Sequence, residues 1–325
     1  MIEDRWSFNG VKIIEVYNDM IYLQMAPELG GLIWTIYDKT KNVNILGKVR
    51  ELKSLSYFDG LIKNKDFLDL SFVGGWYEII PNPGYFNEFG GASYGLHEET
   101  PYLPWTAYYD KYEGDKVSMN INLVKVPLSI QKEIRIEKTI ITVTETVRNN
   151  SSEQIKFGWL HHPFFGEEVI NGDTSLKLPP CNIEVDPNIE KNKSILKPNF
   201  TGEWPFWETL SGGYADLSKL PDKGKENIED LVYLSNLERG EAIFQNNLKG
   251  FKYKVTWDPN VFKYLWLWRA FGGGSGYPWY GNIYGLGMEL ASGYPSGISE
   301  QSKRGRVITL EGNKKIKTEI KLFIN

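Results

Sequence analysis

The chain contains three histidines, His97, His161 and His162, two of them adjacent. Imidazole titrates near neutral pH, so each is a candidate general acid or base. Late in the sequence, Glu289 stands in an otherwise apolar, glycine-spaced run, residues 285–295. Burying a carboxylate is expensive without a partner or a task, because desolvation disfavours its charged form. Glu289 is therefore either ion-paired, with Arg269 or Arg304 as candidates, or held ready as a base.

The settings of the histidines differ. His97 follows a loop rich in glycine and aromatics that includes Gly74, Gly75, Trp76, Tyr77, Pro81, Asn82, Pro83 and Gly84; Glu98, Glu99, Pro104 and Trp105 come after it. Glycine lets backbone approach a ligand and proline stiffens the loop, as a binding cleft requires. His161 and His162 close a strand-like run, 155–160, and lead into Pro163. Neighbouring strand residues point to opposite faces, so one of the two lines a shared cleft, and the proline holds His162 extended. His161 reads as a structural residue. A metal site from His97, Glu98 or Glu99 and His162 has suitable ligand types but no diagnostic spacing, so no metal and no cofactor is expected.

The elements that must position these groups are strands. Val117, Met119, Ile121 and Leu123 alternate with polar residues, as do Ile130, Ile134 and Ile136, then Ile141, Val143 and Val147. These three runs read as an antiparallel meander. Ile316, Ile320, Leu322 and Ile324 repeat the pattern, so the chain ends inside a sheet. Turn signals at 113–115, 149–151 and 311–313 punctuate the strands. Residues 226–234 carry Asn227 as a cap candidate and Ile228, Leu231 and Val232 at helical spacing, which predicts a short helix or helical turn on a loop. Residues 186–229 read as a long excursion over the sandwich, interrupted by Trp204, Phe206 and Trp207. No strand alternates with a long amphipathic helix and no repeat is present, which disfavours nucleotide-binding α/β folds.

The length, 325 residues, is within reach of one very large β domain, 1–325. A formal net charge of -4 offers no field to gather nucleic acid or an anionic membrane. Cys181 is the single cysteine and cannot form an internal disulfide. The start of the sequence lacks an apolar export segment, so the expectation is a cytoplasmic protein. Aromatic residues make up 14% of the chain, with 11 tryptophans. Their faces suit the C–H faces of pyranose rings.

Three blocks, GGWYEIIPNPG through GLHEETPYLPW, then GWLHHPFFG, then YPWYGNIYGLGMELASGYPSG, resemble those of the aldose 1-epimerase (galactose mutarotase-like) family, in the same order. Residues 26–33 resemble that family's first strands, so the resemblance spans nearly the whole chain. It implies an all-β fold, a large antiparallel β-supersandwich with few short helices, whose cleft binds a free aldose. It also implies an isomerase that interconverts anomers: His162 as general acid, Glu289 as general base and His97 assisting near the ring oxygen. Trp76, Trp105, Trp279 and Tyr280 are candidates for the stacking platform, and Asn82 and Glu98 for contacts to the substrate. No arginine lies between Gly75 and His97, where better-studied members carry one. Asp216, Asp230 and Asp258 are nominal counterparts of the family's sugar-binding aspartate. The implied partner is a small sugar, with assembly as a homodimer left open. The alternatives are a non-catalytic carbohydrate-binding protein, or a lyase or hydrolase that pairs Glu289 with Glu98 or Glu99.

Overall fold

The computed structural model describes residues 1–54, 71–112, 114–188, 193–198 and 201–325. Two large antiparallel sheets dominate. The smaller has eight strands, in the order Thr106–Tyr108, Lys116–Asn122, Leu128–Glu137, Ile140–Asn149, Lys315–Ile324, Phe251–Trp257, Glu241–Asn246 and Thr174–Lys177. Its strands alternate as the sequence predicts. Val117, Met119, Ile130, Ile134, Ile141, Val143, Ile320 and Leu322 are buried, and most polar residues between them face outward or are only partly covered, whereas Lys132 and Glu145 point inward and are buried. The expected meander is present, and the C-terminal strand lies inside the sheet, between Ile140–Asn149 and Phe251–Trp257.

The larger sheet runs from Ile2–Glu3 through Ile14–Tyr17, Ile21–Ala26, Leu32–Asp38, Gly75–Ile79, Leu160–Phe165, Tyr284–Ala291, Tyr264–Phe271, Ile228–Ser235 and Asn182–Val185 to Thr201–Glu203; Val43–Asn44 pairs off its fourth strand. Its central strands do not alternate in burial. Gly75–Ile79 and Leu160–Phe165 are buried at every position. Their inner face shares one apolar core with the smaller sheet, which includes Trp76, Phe165, Met288 and Leu290. Their outer face carries two further apolar clusters, one with Tyr77, Phe164 and Trp279, the other with Leu160, Tyr233 and Trp266. The outer face is roofed by the loops that follow the strands.

One expected helix is a strand. Ile228–Ser235 pairs along its length with Tyr264–Phe271. Ile228, Leu231 and Val232 fit a helical stripe, but Ile228 and Val232 enter the inner core while Leu231 packs on the outer face. Within the described part of the 186–229 excursion, Phe206–Glu208 and Tyr214–Asp216 form a small hairpin; Trp207 is buried and Phe206 is exposed. Ile298–Lys303 is a short α-helix, and among the described residues no helix is long and apolar enough to cross a membrane.

Candidate active site

Alternation along Leu160–Phe165 sends His162 to the outer face and His161 inward, next to Glu145 of the smaller sheet. On the adjoining strand, Tyr284–Ala291, the same alternation sends Gly287 and Glu289 outward and Met288 and Leu290 inward. His162 Nε2 and Glu289 Oε1 lie 3.3 Å apart, both side chains nearly inaccessible. Gly287 makes room for this pair. A Cβ placed there would stand 2.8 Å from Glu289 Oε1 and 3.4 Å from His162 Cε1.

His97 comes from the loop over this face. Its φ is +52°, a left-handed conformation that a non-glycine residue adopts only when its surroundings enforce it. Reciprocal hydrogen bonds do so: His97 N–H donates to Gly84 O at 2.8 Å, and Gly84 N–H donates to His97 Nδ1 at 3.1 Å. Because Nδ1 accepts, the neutral ring carries its proton on Nε2. The His97 and His162 rings meet edge to face, with centroids 5.5 Å apart.

These three groups border a cavity of about 200 Å³. Phe72, Trp266, Trp268 and Trp279 form aromatic walls, and Tyr85, Leu96 and Ser296 also line it. The rings of Phe72 and Trp268 lie 5.4 and 5.8 Å from that of His162. Burial drives Glu289, His162 and His97 toward neutrality. Glu289 is raised well above the usual carboxyl range, His162 is pushed down to about 4, and His97 is held well below its ordinary value by burial and by His162.

The structure separates the other predicted residues from the cavity, and each has a physical reason. Trp76 faces the inner core and donates from Nε1 to His161 Nδ1 at 3.1 Å. Trp105 is also in the inner core, with the Lys132 ammonium 4.5 Å from its ring. Tyr280 is 68% exposed and does not line the cavity, although its neighbour Trp279 does. Asn82 is fully occupied by backbone: Nδ2 donates to the carbonyls of Gly84, Tyr85 and Gly95, and Oδ1 accepts from Ile298 N–H. It braces the loop that holds His97 rather than meeting a ligand. Glu98 accepts from Gly95 N–H and pairs with Lys125. Glu99 accepts from the backbone of Val124 and Lys125. Neither a metal set nor a carboxylate pair with Glu289 therefore forms from Glu98 and Glu99.

The candidate ion pairs to Glu289 are not made: Arg269 binds Asp230, and Arg304 binds Glu300 and Glu184. Of the nominal aspartates, Asp230 is held by Arg269 and Ser194, Asp216 by Ser218, and Asp258 by Asn260; none lines the cavity. Glu229 does line it, with Lys193 3.5 Å from its Oε2. Sequence reasoning missed Glu229 because it placed 226–234 on a helical loop. The pattern Glu229, Leu231, Tyr233 read as a strand was the available signal.

No protein-family model matches this sequence, and comparison with curated proteins finds no match. Solved structures do match. Over 99% of its length the chain superposes on 82% of a Klebsiella pneumoniae protein provisionally named an aldose 1-epimerase, with TM-score 0.76 and 14% identity. Over 100% of its length it superposes on 98% of a galactose mutarotase-like protein from Clostridium acetobutylicum, with TM-score 0.68 and 16% identity. An Escherichia coli K12 protein, also provisionally named an aldose 1-epimerase, gives TM-score 0.65 and 14% identity over 97% of this chain and 99% of its own. The chain thus has the galactose mutarotase-like all-β fold, as its sequence blocks predict.

Proposed function

We propose that this protein is an aldose 1-epimerase-like isomerase that interconverts the anomers of a free sugar. The observation that carries this reading is the approach of Glu289 to His162, 3.3 Å, at the wall of an aromatic cavity that His97 also borders. Anomer exchange needs a base to take the proton from the C1 hydroxyl and an acid to protonate the ring oxygen. The open aldehyde then rotates about C1–C2 and recloses with the roles exchanged.

The paired pKa shifts suit this chemistry. Burial favours a neutral pair, with Glu289 protonated and His162 not. Moving that proton from Glu289 to His162 yields the carboxylate and imidazolium that the reaction uses, with no proton taken from solvent. Sugar hydroxyls replacing lost water favour the charged form. His97, neutral with its proton on Nε2, is a hydrogen-bond donor rather than an acid. Trp266, Trp268 and Trp279 offer ring faces to the pyranose, and Glu229 offers acceptors to its hydroxyls. Anomeric exchange measured by NMR with a panel of aldoses tests the reading. Acceleration over buffer supports it; binding without acceleration would make the protein a carbohydrate-binding module instead.

A further inference from the structure

Behind the cavity wall, between the sheets, lie four buried ionisable side chains that the proton transfers do not use. Glu78 and His161 belong to neighbouring strands of the larger sheet, where they sit directly opposite each other. Lys132 and Glu145 sit opposite each other in the smaller sheet. Lys132 Nζ lies 2.9 Å from Glu78 Oε2 and 3.6 Å from Glu145 Oε1, and His161 Nε2 lies 2.7 Å from Glu145 Oε2. Because Trp76 Nε1–H donates to His161 Nδ1, the neutral His161 ring keeps its proton on Nε2, the nitrogen that lies 2.7 Å from Glu145 Oε2. Glu78, Glu145 and His161 present ligand atoms within 4.8 Å of one another, close enough to share a metal ion. The Lys132 ammonium already lies against both carboxylates, so the cluster carries its own cation.

Stability alone does not account for such a group. Well-packed apolar side chains in place of a buried ion pair are often neutral or stabilising. What close charge contacts and the Trp76–His161 hydrogen bond add is position, because apolar layers tolerate small slips that charged and polar groups within 2.7–3.6 Å do not. His161 precedes His162, and the two share one rigid strand, so an inner face fixed to the smaller sheet also fixes the outer face. His162 Nε2 meets Glu289 Oε1 at 3.3 Å, so a slip of the strand that carries His162 changes this contact directly.

We propose that Trp76, His161, Glu145, Glu78 and Lys132 form an inter-sheet clamp that holds His162 in register with Glu289. They are positioning residues of the site, and the proposal rests on the reading that His162 and Glu289 transfer the protons. The test replaces the charges together, Lys132→Met, Glu78→Leu, Glu145→Leu and His161→Phe, so that no charge is left unpaired. A second variant, Trp76→Phe, removes the donor to His161 at the cost of some core volume and leaves the four charged positions intact. Three quantities are read for each: kcat and KM for anomer exchange, binding of an unreactive 1-deoxy aldose followed by tryptophan fluorescence, and the ring-nitrogen NMR signals of His162.

The clamp predicts that the fourfold variant folds and binds the 1-deoxy sugar within about twofold of wild type. Its kcat falls about tenfold or more, the scale of a sub-ångström misplacement, with KM little changed, and its His162 signals shift. Trp76→Phe moves the same quantities in the same direction by less, and it carries the test alone should the fourfold variant fail to fold. Unchanged kcat together with unchanged His162 signals would overturn the clamp and leave the cluster a purely structural feature. If wild type accelerates no aldose, the proposed function fails by itself, and the His162 signals still decide the clamp.

Discussion

Glu289 Oε1 and His162 Nε2 approach to 3.3 Å from adjacent antiparallel strands more than a hundred residues apart in sequence, on the face of the larger sheet turned away from the second sheet. Both are buried among aromatic rings, which removes water and pushes each toward its uncharged form. Burial thereby leaves the proton on Glu289 and His162 neutral.

Trp279 contributes a wall without touching the proton path. Trp279→Ala is expected to raise KM about tenfold, close to the energy of one lost ring contact (about 1–1.5 kcal/mol), and to leave kcat within about threefold. Steady-state kinetics of anomer exchange separates the two parameters, and a fall confined to kcat would contradict the assignment.

Gly287 is predicted to be intolerant of a methyl group. In Gly287→Ala the new Cβ meets Glu289 Oε1 at 2.8 Å, so the carboxylate must move away from His162. Folding is expected to be nearly preserved while kcat drops about tenfold or more, measured with thermal melting alongside activity.

Asn82 braces the His97 loop through four hydrogen bonds to backbone. At about 1 kcal/mol each, with some relaxation, Asn82→Ala should cost about 2–4 kcal/mol. Urea denaturation measures the loss. His97 should also lose its fixed tautomer, visible in its ring-nitrogen signals.

Stability should depend on pH through Glu78. Burial, aided by Glu145 and opposed by Lys132 and His161, raises its carboxyl to about 8, against 4.5 for the ordinary group. Between these values the native state keeps a proton that the unfolded chain has released, so stability falls as pH rises from 4.5 toward 8. His161 and His162, depressed to about 3 and about 4, act oppositely and weaken the fold as pH drops below 6.5. Glu78→Gln should flatten the alkaline decline in melting temperature measured from pH 6 to 9, whereas an unaltered decline would place its cause elsewhere.

The parts of the fold that face solvent were legible in the sequence, because Val117 to Ile121 and Ile130 to Ile136 alternate cleanly between core and water. The central strands were not legible by period. Gly75–Ile79 and Leu160–Phe165 are covered on both faces, so nothing alternates: the glycines made 74–84 read as a loop although Gly75–Ile79 is a central strand, and the run 155–160 is two strands, Ile155–Phe157 and Leu160–Phe165, with both histidines inside the second. His97, His162 and Glu289 could be singled out because rare residue types in apolar or glycine-rich settings are visible in one dimension. The aromatic platform could not. Trp76 and Trp279 differ only in which face of a sheet or loop they occupy, and Trp76 lies on the inner one. Asn82 and Glu98 sit close to His97 in sequence but spend their hydrogen bonds on the loop itself. Glu229 was hidden by a helical spacing that a twisted strand also satisfies.

In the proposed reaction one buried carboxylate and one imidazole exchange protons with a hemiacetal. Anomer exchange by saturation-transfer NMR, run with wild type and with Glu289→Gln on the same set of aldoses, tests it most directly. Wild type should exceed the buffer rate on at least one sugar, and Glu289→Gln should lose about a hundredfold or more of that acceleration while still binding. Equal rates for wild type and Glu289→Gln, or no acceleration by wild type on any aldose, would contradict the account.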